Sequence, residues 1–274
     1  MAIKATDFSD LIHSSSVESP GIDAVRKSIG YLASAFMALL LLNLPLYAQD
    51  WKWPEKPQNI QVLSEKFTGR RLGFIMTGFS QSLGVRCTHC HVGEEGKGFS
   101  TYDFPSDKNP NKDRAREMFR MLNDINKSLS KLEPSGDKRV DMSCDTCHRG
   151  LALPITLSAQ IGKTFRAEGI EASLTQYSEL KEKYYGTGAY QFKESILNNL
   201  GYAVLSENPE GAVKVFKLNS KEYPKSGNVW DSLADGYMLN GDNKKAKKYY
   251  KKSLKLNPDN QNAKDMLKKL EESK

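Results

Sequence analysis

The feature that most constrains this chain is a five-residue pattern that occurs twice. Cys87, Thr88, His89, Cys90 and His91 read C-x-x-C-H, and so do Cys144, Asp145, Thr146, Cys147 and His148. Together the two copies use all four cysteines and three of the four histidines of the 274-residue chain. Two thiols three positions apart on one helical turn can add across the two vinyl groups of a porphyrin, and the adjacent histidine then sets an imidazole under the iron. The spacing therefore predicts two covalently bound c-type haems, attached through Cys87, Cys90, Cys144 and Cys147, with His91 and His148 as the proximal iron ligands. A four-cysteine zinc cage would leave the histidine after each second cysteine without a task. A thioredoxin-like redox pair needs a strand-helix-strand surround that neither motif has. Two disulfides at such short spacing would make an odd staple.

The sixth iron ligands narrow by elimination. His13 lies in the N-terminal leader and His89 inside a motif, so each iron takes a methionine or keeps an open position. Outside the leader and the C-terminal region the methionines are Met76, Met118, Met121 and Met142. Met142 precedes Cys144 by two residues, which ties it to the proximal side and to packing. Met76 sits in a predicted helix over 70–81, whose apolar residues Phe74, Ile75, Met76 and Phe79 form a face before Gly84 turns the chain into the first motif. A second helix is predicted over 107–132, capped by Asp107 or Asn109, with Pro110 in its first turn and Ala115, Met118, Phe119, Leu122 and Ile125 on one side. Met118 and Met121 share a face there, and periodicity does not choose between them. Arg70, Arg71, Arg86, Arg116 and Arg149 lie near these elements as candidate partners for haem propionates.

From about Glu65 to Pro154 the sequence resembles the cytochrome c subunit family of photosynthetic reaction centres. The resemblance rests on Met76 placed before Ser82 to Arg86 and the first motif. It continues through Asn109 to Lys112, Ala115, Arg116, Met118, Met121, Asp124, Ile125 and Asn126, and ends with Cys147, His148, Arg149 and Gly150. In that family a helix before each motif supplies the axial methionine. The resemblance therefore implies Met76 for the first haem and Met118 for the second, with Met121 as packing or as a substitute. Photosynthetic members carry four haems in paired halves, and this chain resembles one half. The function implied is one-electron transfer between redox partner proteins, an electron carrier rather than an enzyme.

The C-terminal part has a different logic. A shift of 34 residues superimposes Ala212 on Ala246, Phe216 on Tyr250 and Pro224 on Pro258, the period of tetratricopeptide repeats. The last unit reads Trp230, Leu233, Ala234, Tyr237, Ala246, Tyr250 and Pro258. The unit before it, around Leu200, Gly201, Ala212 and Phe216, is one residue shorter in its turn. Two repeats leave apolar ends, so helices around 171–184 and 190–205 are expected to complete the stack. Such a module offers a groove for a partner protein or covers the haem region. The lysine-rich stretch Lys244 to Lys255 reads as a solvated helix face.

At the other end, Tyr31 to Tyr47 is almost wholly apolar, follows Arg26 and Lys27, and precedes Ala48. That is the pattern of a secretory signal, cleaved or kept as a membrane anchor. It places the protein in the periplasm or on the outer face of the cytoplasmic membrane. The net charge of +7 comes from 40 basic and 33 acidic residues, too modest for a dedicated nucleic-acid binder. The expectation is a mostly α chain: a signal or anchor over 1–48, a dihaem c-type cytochrome domain over 49–160, and a tetratricopeptide-like helical-hairpin module over 165–274. Two functions of other classes compete with electron transfer. A dihaem redox enzyme such as a peroxidase needs an open iron with acid-base groups above it, and no distal histidine is available for that. The other is a haem-bearing assembly scaffold.

Overall fold

The computed structural model describes residues 51–132 and 141–272. The apolar segment after Arg26 lies outside the described residues. Among the described residues ten α-helices and two 3-10 turns account for the regular structure, and the sole β pairing is an isolated bridge between Val92 and Asp103.

Helix α1, Gly69–Leu83, is stopped by Gly84, whose φ of 64° is the left-handed conformation that closes a helix. Helix α2, Pro110–Leu129, starts where Asn109 accepts a hydrogen bond from the Asn111 N–H and proline occupies the first turn. Asp107, the other candidate cap, lies outside the helix and pairs with Arg116 at 2.8 Å and Lys112 at 3.1 Å. The short helix α3, Cys144–His148, carries the second motif and packs on α1.

The remaining helices are α4 (Leu157–Glu168), α5 (Ile170–Tyr184), α6 (Glu194–Val204), α7 (Pro209–Glu222), α8 (Gly227–Leu239), α9 (Asn243–Leu256) and α10 (Gln261–Glu272). Sequential helices pack as hairpins, α4 on α5, α6 on α7 and α8 on α9, and α10 covers α9. The predicted helix over 190–205 starts later, at Glu194, because Ala189 and Tyr190 are buried in the connection that precedes it. Residues repeated at the 34-residue spacing fill the core: Ala212 and Ala246, and Phe216 and Tyr250, are fully buried. One apolar cluster joins α6 to α10 around Phe216, Trp230, Leu233 and Tyr250. A second joins α4 to α7 around Ile161, Tyr177 and Leu197, and it includes Leu151, three residues after His148. The stack is thus continuous with the chain that leaves the second motif, and Lys52–Lys274 form one compact unit.

Candidate functional site

The two cysteine motifs adopt different local structures. The second is α-helical from Cys144 to His148, with Ser143 and Thr146 closing a reciprocal capping box. The first is a 3-10 turn over Cys87–His89, with the His91 N–H donating to the Cys87 carbonyl at 2.9 Å. The difference has a cause in the side chains of α2. The Thr88 and His89 carbonyls accept hydrogen bonds from Asn109 Nδ2 at 3.2 and 3.1 Å, and Asn111 Nδ2 adds one to His89 at 2.9 Å. With those acceptors taken, the turn does not propagate as a helix.

Helix α2 also holds the second motif. Near its end, Asn126 donates to the Met142 carbonyl at 2.9 Å and accepts from the Met142 N–H at 2.7 Å, two residues before Cys144. Met142 is therefore fixed by its backbone. Asn111 and Asn126 stand about 22 Å apart along the helix axis, at 1.5 Å per residue. The helix is thereby a spacer anchored to one motif at each end.

A third tie closes the arrangement. The Gly150 N–H donates to the Ser82 carbonyl at 2.8 Å, joining the end of the second motif to the end of α1, just ahead of the first. A Cβ on Gly84 would run into the Gly150 carbonyl oxygen, so the approach depends on glycine.

The histidines are placed differently. His148 is 9% exposed, and its Nδ1 lies 2.8 Å from the Leu151 carbonyl. A carbonyl can only accept, so Nδ1 carries the proton and the lone pair resides on Nε2, the arrangement an iron-ligating imidazole requires. His91 lies edge-on to Phe104 at 5.1 Å, with its Nδ1 buried and making no hydrogen bond of good geometry. Burial, then the Lys112 ammonium, hold its pKa below the usual histidine value, against the opposing pull of the nearby Phe104 carbonyl. Lys112 is fixed there by the Phe104, Pro105 and Ser106 carbonyls, each at 2.9 Å. Burial raises the Cys90 and Cys144 thiols, so both rest as neutral SH groups.

The donor set and its surroundings fit a large apolar porphyrin. Of the 20 residues of α2 only Arg116 is buried, and Leu72 is the one buried hydrophobic side chain among the described residues from 51 to 150. Phe74 is 81% exposed, which corrects the expected apolar face of α1, and Met118 and Met121 are 43% and 48% exposed. Helices with so little core of their own offer apolar surface to a prosthetic group. Met76 is half-buried, one turn before Phe79, which meets Phe119 of α2 edge-on at 6.2 Å. Met118 and Met121 differ in surroundings: Met121, with Ile125, Leu129 and Leu132, lines an open cavity of about 720 Å³, and Met118 does not.

The arginines do not act as one set. Arg116 is buried between Asp107 and Asp113, and Arg86 pairs with Glu95 at 2.9 Å. Arg71 lies over the Phe67 ring, whereas Arg149 has its Nε buried without a hydrogen-bond partner. Asn109, Asn111 and Asn126 stand in the sequence as residues of the resemblance, and Asn109 also as a cap; their role as tethers, and Leu151 altogether, are what motif reasoning missed. Asparagine bonds to distant backbone have no periodic signature.

The class of the C-terminal module is given by its sequence: residues 227–260, which span α8 and α9, match the tetratricopeptide repeat. Among known proteins, the chain is similar to the photosynthetic reaction center cytochrome c subunit of Rubrivivax gelatinosus (strain NBRC 100245 / IL144), with 32% identity over 101 residues. That match covers 33% of this chain and 25% of the relative, so the chain spans about a quarter of the relative's length. Among solved structures it is similar to the first TPR of Spaghetti (RPAP3) bound to HSP90 peptide SRMEEVD, at 18% identity and a TM-score of 0.31. The likeness covers 43% of this chain and 89% of that one.

Proposed function

We propose that this protein is an exported dihaem c-type cytochrome that passes single electrons between redox partner proteins in the periplasm or at the outer face of the cytoplasmic membrane. The observation that carries the reading is the pair of C-x-x-C-H motifs, tied to both ends of one helix, with His148 held in the tautomer that leaves Nε2 for iron. The partial likeness to a reaction-centre cytochrome subunit supports it.

When bound, each haem would supply a reversible ferric–ferrous couple. The chain's residues do the rest. Cys87, Cys90, Cys144 and Cys147 would fix each ring edge, His91 and His148 would take the proximal side, and Met76 and Met118 the distal side, with Met121 the alternative. Thioether ligation raises the potential and fills coordination, which suits electron passage better than substrate chemistry. Asn109, Asn111 and Asn126 hold the motifs at fixed separation, so little needs to reorganise when charge changes. Lys112 sets a positive charge beside His91, which would favour the reduced state of a haem held there. The helical repeats are proposed to engage a protein partner.

Intact mass and a pyridine haemochrome assay, on protein matured in an export-competent host, test this directly. Two covalent haems are expected, and Cys87→Ala with Cys90→Ala, or Cys144→Ala with Cys147→Ala, should each remove one. Zinc in place of haem, or no covalent addition after competent maturation, would end the proposal. Recovery of haem-loaded protein in the cytoplasm would contradict the location.

A further inference from the structure

Helix α9 carries Lys244, Lys245, Lys247, Lys248, Lys251, Lys252 and Lys255 and no acidic residue. Those seven, taken from the 40 basic residues of the chain, leave 33, against 33 acidic residues. The whole net charge of +7 therefore equals what one 14-residue helix holds.

The arrangement of these lysines is specific. Lys244, Lys248, Lys251 and Lys255 are all exposed and, at about 100° per residue, fall within about 60° of arc, a single stripe along the helix. Lys245 pairs with Asp242 at 2.6 Å, and among the described residues the other six have no carboxylate within 4.0 Å. Beside the stripe runs an aromatic ladder: Tyr249 stacks on Trp230 at 5.7 Å and on Tyr237 at 5.4 Å. Lysine heads lie over its rings, Lys252 at 3.2 Å from Trp230, Lys245 at 5.1 Å from Tyr237 and Lys248 at 5.5 Å from Tyr249, and Lys217 of α7 adds another at 5.5 Å from Tyr237. Cation–π contact limits the wandering of the Lys245, Lys248 and Lys252 stems, Lys248 being the one that belongs to the stripe, so less side-chain freedom is lost there on docking. A solvated face needs none of this order.

We infer that the α9 lysine stripe, backed by the largely buried aromatic ladder, is a docking surface for the acidic face of a folded partner protein. Positive charges at set intervals along one helix match carboxylates fixed on a folded surface, whereas lipid headgroups rearrange around any lysine spacing. Membrane insertion also needs an apolar helix face free to enter lipid, and that of α9 is spent in the core, where Ala246 and Tyr250 are fully buried. The proposal deepens the electron-carrier reading by giving a partner chemistry, and it places the contact on the helical repeats rather than at the haem edges.

The test measures binding alone. Full-length holoprotein is titrated with a small acidic flavodoxin as probe, at about 20 mM and about 200 mM ionic strength, which brackets the range where exposed charges become screened. Wild type should bind at the lower salt and weaken at least about tenfold at the higher. The variant Lys244→Glu, Lys248→Glu, Lys251→Glu, Lys255→Glu should weaken at the lower salt by about tenfold or more. A control with the same charge change elsewhere, Lys52→Glu, Lys56→Glu, Lys66→Glu, Lys97→Glu, should lose less than about threefold. Circular dichroism checks that both variants keep their helices. No binding by wild type, equal loss in both variants, or tighter binding to phosphatidylglycerol vesicles than to flavodoxin would overturn the proposal. Haem count is read separately by mass, so failure of the docking surface and failure of the cytochrome reading give different results.

Discussion

At the residue scale the sharpest question is which sulfur ligates each iron. Met76 is the one methionine between the apolar leader and the first motif, and its helix ends just ahead of Cys87. Met118 and Met121 are both exposed on α2, and Met121 alone of the two lines the cavity with Ile125 and Leu129. The resemblance selects Met118. The expected outcome is loss of thioether ligation at one haem in Met118→Ala, at the other in Met76→Ala, and at neither in Met121→Ala. The near-infrared sulfur-to-iron absorption of each oxidised variant reads this, and loss in Met121→Ala with retention in Met118→Ala would move the ligand to the cavity side. A second residue-scale expectation concerns Asp231 on α8, which is 8% exposed. Its Oδ2 accepts from Asn262 at 2.9 Å, and its Oδ1 is buried without a good partner. Burial, with Asp235 nearby, raises its pKa above the ordinary carboxylate value. A carboxyl whose folded pKa is raised stabilises the fold most below its unfolded pKa, near 4, and that contribution is lost as pH rises through the folded value. Asp231→Asn should therefore raise the melting temperature at pH 7 by about 2–4 °C, with the gain vanishing toward pH 4. A gain of equal size at both pH values would assign the effect to something other than the charge.

At the scale of elements, the contact of α1 with α3 depends on glycine. Gly84 combines a positive φ with close approach to the Gly150 carbonyl, so Gly84→Ala faces both strain and a clash and should destabilise by about 2 kcal/mol or more. Gly78, inside α1 with nothing within 4 Å of its Cβ position, should gain about 0.5–1 kcal/mol as alanine. Denaturant melts of the two variants provide the comparison, and equal effects would remove the Gly84–Gly150 contact from the account. The same pair of helices shows what a sequence conveys. The boundaries of α1 and α2 were legible within a few residues, because Gly84, Asn109 and Pro110 mark helix ends through local backbone chemistry. The repeat module was legible because its packing residues recur at a fixed period. Burial on α1 and α2 was not: Phe74 sits at an apolar position yet is exposed, and Arg116, a candidate partner for haem propionates, is buried between Asp107 and Asp113. Those outcomes depend on partners distant in sequence, which periodicity does not encode. The two cysteine motifs are patterns complete within five residues and can be read locally, whereas the asparagines that tie to them act over 16 to 22 residues.

At the scale of the whole molecule, the two parts of the unit differ in how they are held together. Residues 157–272 bury two apolar clusters, one around Ile161, Tyr177 and Leu197 and one around Phe216, Leu233 and Tyr250, with Phe165 packed against both. Among the described residues from 51 to 150, one hydrophobic side chain is buried, and order rests on a half-buried aromatic cluster of Trp53, Phe99, Tyr102 and Phe104 together with hydrogen bonds and ion pairs such as those of Asn59, Asn109, Lys112, Arg116 and Asn126. Surface ion pairs contribute about 0–1 kcal/mol each, too little to offset about 1–2 kcal/mol of backbone entropy per ordered residue. Two bulky apolar groups, each bonded at two cysteines, would supply the missing core, whereas the repeats need none. Leu151 joins the two, since its side chain belongs to the repeat core while its carbonyl holds His148. Replacing all four cysteines by alanine should therefore leave 157–272 folded and release most of 51–150. In hydrogen exchange, amides of α1 and α2 should lose protection by about 100-fold or more relative to the haem-bearing protein, approaching the free-chain limit that local unfolding permits. Amides of α7, α8 and α9 should change by less than about threefold. The α3 amides report on the junction: protection kept there without haem would mean that Leu151 and the repeats suffice to hold the second motif. Equal protection of 51–150 in both proteins would show that its polar network is a core in itself, and the exposed methionines of α2 would then need another explanation.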